Sequence, residues 1–463
     1  MTLPFLQADY GAFDTKFLGV CLRFHSDAPD SFEKLLALVT GEPSAHANFD
    51  HESLHDLAVA SVLDHEFRHL HDFVLSTHGN KIFRLRLAAF FNGMQSIGAG
   101  FSVLPVPTPL LRWSRLTEEE RRSQEQLWAQ QVLPLDRLDA AALAQAAKNY
   151  AQIRRCMVAE SEIQPVDLYE ASAVLAQVFA IDRIAGKKSA LMFLKEIVNG
   201  SVPSRYVRVL RSLFTLWRKL GRDADAHEFA AVVSWSLLGT FGKQPDDDPP
   251  TQRFFRLLEH LTREQACDFG CGLKDLYAGW DAALGYVSIE EAIRENGAAN
   301  EEFARWFDSV PPDSGDTLFR AITETCREGI QTLIAANNAV ASVYLANPDS
   351  YVYPDAYIDS GRNLLAPVRV DFLDMGYRSD ALRGCGFEVD VEILDSQSRE
   401  QVALTATLHP NGPNAIDGRV ASRVAIQLMV SDYLFSDLSR DDWDFRLARQ
   451  KLREIGVATL ELL

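Results

Sequence analysis

Apolar residues recur through most of this chain at spacings of three and four, and alternate with polar ones only near its two ends. The first pattern predicts helices and the second predicts strands. A strand is expected at Lys16 to Phe24, ahead of the polar break His25-Ser26-Asp27. Helical spacing then dominates from Ser31 to Phe241. Thr117-x-x-Glu120 is a capping box that would open a helix over Glu118 to Gln131, and Pro165 suits the first turn of a helix running to about Ile184. Gly242 to Pro250 reads as a linker, and Pro311 to Gly315 is a second break before a helical pattern over Thr317 to Leu345. Beyond Asn347-Pro348, Phe387 to Ile393 and Val402 to Leu408 alternate as a hairpin would. Val368 to Phe372 offers a third strand, and two helices, Arg419 to Leu434 and Asp441 to Glu454, follow. The expected fold class is mainly α (α+β): a helical domain with an N-terminal strand over 1–242, a helical segment over 251–346, and an α+β module with a β-hairpin over 347–463.

Composition narrows the function classes. The chain has 463 residues, 47% of them hydrophobic, which is enough to bury a sizeable core. Lys plus Arg number 46 against 64 for Asp plus Glu, so the net charge of −18 repels phosphate backbones and argues against general nucleic-acid binding. Six cysteines without a CxxC pair form neither a disulfide framework nor a zinc ribbon, and Cys267 and Cys271 read as packing residues. The N-terminus shows no secretory signal, and the longest apolar stretch, Phe229 to Phe241, is too short to span a bilayer. The expectation is a cytoplasmic protein with no membrane partner.

Histidine changes the picture. Of 11 in the chain, six lie between positions 51 and 78, and within them stands His65-Glu66-Phe67-Arg68-His69, an HExxH motif. If Leu54 to Leu75 is one helix, residues four apart lie about 40° from each other, so both imidazoles can bind one metal with the glutamate beside them. On that wheel His65, His69 and Glu66 fall inside the apolar arc drawn by Leu54, Val62, Leu70 and Phe73. Arg68, Asp64 and His71 fall opposite, toward water. Burying ionisable groups without partners is costly, and a divalent cation would supply the compensation. A second match, His51-Glu52-Ser53-Leu54-His55, lies about 21 Å earlier on the same wheel, too far to share a metal. With Asp50 as its N-cap it would occupy an exposed first turn, and it is read as a decoy.

Two histidines leave a cation under-coordinated. Asp72 and Leu75 stand where a metzincin would have glycine and a third histidine, so that pattern fails. A later glutamate is the alternative. Glu170 shares a helix face with Val166, Ala173 and Val174, while Glu160 is the rival one helix earlier. On His65 to His69 and the Glu-Ala helix around Glu170, the sequence resembles the gluzincin, thermolysin-like metallopeptidases. That resemblance implies a zincin-like domain, His65, His69 and Glu170 as zinc ligands, Glu66 as general base, and a protein or peptide substrate. It also implies an aspartate four residues after the ligand glutamate, to orient the first histidine. Val174 stands there instead, and Asp72 is the substitute on the His65 face. His227, Tyr150 and Tyr169 are candidate oxyanion donors.

Two readings compete with a zinc peptidase. One is another all-α metal hydrolase, with His71-Asp72 and His46 in an HD-type site or Glu66-x-x-His69 as half of a di-iron site. The other is a helical interaction protein whose metal site is structural or degenerate. Under any of the three readings the C-terminal module could receive a regulatory protein partner or a second copy of the chain.

Overall fold

The computed structural model of the chain describes residues 11–14, 19–24, 34, 37–38, 49–97, 140–159, 161–200, 204–239, 249–264, 269–310, 317–353, 368–374, 390–392 and 403–408. The described residues are mainly helical, as the apolar spacing predicts. The helices expected at 118–131, 419–434 and 441–454 lie outside them, as do Glu160, most of the 242–250 linker, the 311–315 break and the turn of the expected C-terminal hairpin.

The described helices, in chain order, are α1 (Leu54–Ala60), α2 (Val62–Leu75), α3 (Thr77–Ile97), α4 (Ala140–Met157), α5 (Pro165–Ala185), α6 (Lys187–Asn199) and α7 (Ser204–Lys219). They continue as α8 (Ala226–Leu238), α9 (Pro250–Glu264), α10 (Leu273–Leu284), α11 (Ile289–Ser309), α12 (Thr317–Ala346) and α13 (Pro348–Val352). Short extended segments β1 (Gly11–Asp14), β2 (Gly19–Phe24), β3 (Val368–Asp374), β4 (Asp390–Glu392) and β5 (Ala403–Leu408) pair in the order β1-β2-β3-β5-β4, with β2 and β3 parallel.

Two compact units divide the chain. One comprises Met1–Asn80, Cys156–Ala298 and Leu333–Gly418, and the other Lys81–Arg155, Ala299–Thr332 and Arg419–Leu463. In the second unit Phe83, Leu87, Phe90, Ala146, Ile322 and Cys326 are buried, and Phe91 meets Phe307 edge to face with ring centroids 5.4 Å apart. That geometry favours the ring quadrupoles.

The first unit is organised around α5. Pro165 starts it, where a missing N–H costs nothing, and Gly186 at φ +80° ends it. Between them Leu168, Ala171, Ala173, Val174, Leu175, Ala180 and Ile181 are buried on every side, because α2, α6, α7 and α8 pack around this helix. Its small residues at 171, 173 and 176 let neighbours approach closely. The Trp235 and Phe229 side chains of α8 are likewise fully buried.

The histidine-bearing segment departs from the single helix that its spacing predicts. Ser61, at φ −106° and ψ 7°, separates α1 from α2. Its hydroxyl donates to the carbonyls of Leu57 at 2.7 Å and Ala58 at 3.3 Å, a local bond that competes with helix continuation. At the other end α3 leaves α2 so tightly that a Cβ on Gly79 would collide with the Phe73 carbonyl, so only glycine fits.

The water-facing side expected for α2 does not exist. Arg68, Asp64 and His71 are all buried, and 13 of the 14 residues of α2 are buried. Buried charge requires partners, and Arg68 has them on four elements. Its Nε donates to Asp72 at 3.1 Å and to Ser172 at 2.9 Å, and its Nη atoms donate to the Tyr351 carbonyl at 2.6 Å and Ser234 at 2.9 Å. The Tyr351 ring stacks on the guanidinium at 4.5 Å, and its hydroxyl donates to Asp72 at 2.6 Å. One arginine thus ties α2 to α5, α8 and α13. Asp64 pairs with Arg183 at 3.1 Å, yet burial pushes its carboxyl up to about 7.

Candidate metal centre

Helices α2 and α5 bring three ligand-type side chains together. His65 Nε2 and His69 Nε2 lie 3.0 Å apart, and Glu170 Oε2 lies 3.5 Å from the first and 3.3 Å from the second. All three side chains keep only 11–12% of their surface exposed. The i,i+4 spacing on α2 aligns the two imidazoles, and Glu170 reaches them because Ala171 and Ala173 keep α5 close. Four-coordinate ligands held at about 2.0 to 2.2 Å stand roughly 3.3 to 3.6 Å from one another, so the triangle is the size that a small divalent cation requires. These three residues can therefore hold a metal ion, and among the described residues they are the group of this kind.

Burial by itself would raise the Glu170 carboxyl. Coulombic and hydrogen-bond interactions with His69 and His65 outweigh it and hold the group well below the ordinary carboxylate range. Glu170 is thus an anion at neutral pH, ready to accept a cation.

The orientation of His65 comes from a residue that the sequence reading missed. Gln177 Oε1 stands 3.0 Å from His65 Nδ1. The Gln177 amide nitrogen faces the Ser61 hydroxyl at 3.4 Å and the Ala58 carbonyl at 3.5 Å, which fixes its oxygen toward the imidazole. An Nδ1–H donated to that oxygen leaves the Nε2 lone pair for a cation. Asp72, the expected substitute, is instead held by Arg68 and Tyr351. Gln177 is seven residues after Glu170, two helical turns along one face of α5, and that spacing was the signal available in the sequence.

Other expectations resolve differently. Glu66 is buried on α2 next to His65, as the motif requires. Val166, expected to be buried beside Glu170, is 48% exposed, although Pro165, Asp167 and Leu168 in the same turn of α5 are buried. His51 and His55 are exposed, and the N-cap of α1 is Ser53 in place of Asp50. Cys271 is partly buried, and Cys267 lies outside the described residues.

The oxyanion candidates fall elsewhere. Tyr169 bonds Ser76 at 2.9 Å and His78 at 3.1 Å, His227 packs on Phe179 and Tyr353, and Tyr150 belongs to the second unit. His71 lies with its ring 6.4 Å from Phe67, and burial followed by the charge of Arg68 lowers it to about 3, so it is neutral. Besides Gln177, two side chains of α7 stand near the triad, those of Arg205 and Tyr206. Arg205 Nε is 3.7 Å from Glu170 Oε1, and the Tyr206 ring centroid is 6.3 Å from that of His65. No protein-family model, curated protein or solved structure matches this chain.

Proposed function

We propose that this chain is a zinc-dependent peptidase, with His65, His69 and Glu170 as metal ligands and Glu66 as general base. The observation that carries the reading is the buried donor triangle with sides of 3.0, 3.3 and 3.5 Å, whose first imidazole is pinned through its other nitrogen by Gln177. Two imidazoles and one carboxylate in a small triangle suit zinc in a catalytic setting, where one position stays open to water or substrate.

Bound there, the cation would supply Lewis acidity toward a water and toward a peptide carbonyl. The residues do the rest. Gln177 keeps the His65 proton on Nδ1, and Glu170 contributes one negative charge. Glu66 accepts the proton of the attacking water and returns it to the departing amine. The gluzincin resemblance supports these roles, and with it goes our reading of residues 347–463 as an α+β module that recruits a partner or a second copy. No helix among the described residues is long and apolar enough to cross a membrane, in keeping with a substrate met outside the bilayer.

Metal analysis of protein purified without a histidine tag, joined to cleavage of a fluorescent peptide mixture, tests the proposal. About one zinc per chain is expected. Glu66→Gln should keep the metal while turnover falls by at least about a hundredfold, since an amide preserves size but cannot take the proton. Undiminished turnover in that variant removes the mechanism. A zinc-bearing chain that cleaves nothing favours the structural-site reading.

A further inference from the structure

The two oxygens of Glu170 face different cations. Oε2 faces the imidazoles, and Oε1 faces the guanidinium of Arg205 at 3.7 Å. Arg205 therefore stands one carboxylate-width from the metal triangle. The α7 sequence carries Arg205, Arg208, Arg211, Arg218 and Lys219 and no acidic residue, in a chain of net charge −18. Arg208 is committed to Asp167 and the Glu162 carbonyl, and Arg211 to the carbonyls of Val198 and Gly200. Arg205 instead sits in the first turn, where the helix dipole disfavours a positive charge. It keeps 48% of its side chain exposed beside the triad. The Tyr206 ring supports it, with the guanidinium carbon 4.9 Å from the ring centroid and an Nη donating to the hydroxyl at 2.9 Å.

The charge sum sets the ligand. A divalent cation, Glu170 and Arg205 together give +2 −1 +1, or +2, and adding the Glu66 anion still leaves the site positive. A guanidinium fork matches a carboxylate in shape as well as charge. On a peptide whose scissile carbonyl lies at the metal, a group one residue further along is about 3.5 Å away. In a chain that ends there, this group is the terminal carboxylate.

The geometry points to Arg205 as the anchor for the free α-carboxylate of a peptide substrate, making the site a carboxypeptidase that removes one C-terminal residue. This inference rests on the metal-hydrolase reading above. Water adds across the terminal peptide bond, releasing one amino acid and a shortened peptide, and no further reactant is needed. Arg205 is a specificity residue here, with Tyr206 as its pedestal.

The test uses the zinc-loaded full chain and two thiol probes, 2-benzyl-3-mercaptopropanoic acid and its amide, titrated by calorimetry. The thiol reports the metal, and the difference between acid and amide reports Arg205. In the wild type both bind, with the acid about 10-fold tighter or more. R205Q should bring the acid to the affinity of the amide while zinc content stays the same. R205K, which keeps the charge but loses the fork, should fall between. Equal affinities for acid and amide in the wild type overturn the Arg205 assignment and leave the metal site standing. Failure of either thiol to bind a chain that holds no zinc overturns both. Inorganic phosphate that displaces the acid probe at lower concentration than acetate, and does so only with Arg205 present, overturns the carboxylate in favour of a phosphoryl substrate.

Discussion

The chain writes HExxH twice, fourteen residues apart, and folds the two copies into different things. His51 and Glu52 lie in a turn, where the Glu52 N–H bonds Asp50 at 2.9 Å, and the helix starts only at Leu54. The four-residue spacing therefore aligns nothing, and both histidines face water. His65 and His69 lie inside a continuous helix that α5 covers, where a carboxylate from another element completes a buried triangle. Letters and spacing are the same in both copies. What separates them is the cost of desolvating a charge, which the buried second copy incurs and the exposed first does not.

The largest effect should come from exchanging the two copies as targets. His65→Ala or His69→Ala is expected to abolish zinc binding measured by chelator competition, and His51→Ala or His55→Ala to leave it unchanged. Equal loss in His51→Ala would erase the contrast between the copies. Glu170→Ala comes next. It removes the proposed ligand and its negative charge, so zinc affinity should fall by about a hundredfold or more, while circular dichroism stays that of the wild type. An unchanged affinity would mean that α5 contributes only packing.

Gln177 sharpens the comparison further, because it meets His65 of the second copy through Nδ1. Gln177→Leu should weaken zinc by about 10- to 100-fold. Gln177→Glu, which keeps an acceptor and adds a charge, should restore or exceed wild-type affinity. If Leu and Glu variants behave alike, Gln177 acts through packing and the hydrogen bond at Nδ1 has no part in binding.

What the sequence disclosed, and what it withheld, follows the same division. His65, His69 and Glu170 were legible as a group because ligand-type residues carry their chemistry in their side chains and helical spacing places them. Helix α5 was legible from Pro165 and its apolar run, and α12 from the pattern after the 311–315 break. Gln177 was not, since an amide announces no role until its partner is known. The helical wheel misplaced Arg68, Asp64 and His71 because it assumes that one side of every helix meets water. Around α2 that side is closed by α5, α8 and α13, and the Arg68 bonds to Ser172, Ser234 and Tyr351 join residues more than a hundred positions apart in sequence. The break at Ser61 was hidden for a related reason, as it is made by a serine hydroxyl turning on its own backbone and not by glycine or proline.

The smallest expected effect concerns Ser53, the central residue of the first copy. In the second copy the same motif position is Phe67, which is buried; here it is a helix cap, accepting a bond from the Asp56 N–H at 3.3 Å at the start of α1. If the first copy is only a helix entrance, Ser53→Ala should remove that one capping bond, at a cost of about 1 kcal/mol or less. That corresponds to a fall in thermal midpoint of about 2 °C or less, read by differential scanning fluorimetry. Zinc affinity should be unaltered, since α1 meets Gln177 through its last turn, at the Ala58 carbonyl and the Ser61 hydroxyl, and that turn keeps its own bonds when the first frays. A loss of zinc affinity in Ser53→Ala would show that the two copies communicate through α1, and the first could no longer be treated as a surface turn.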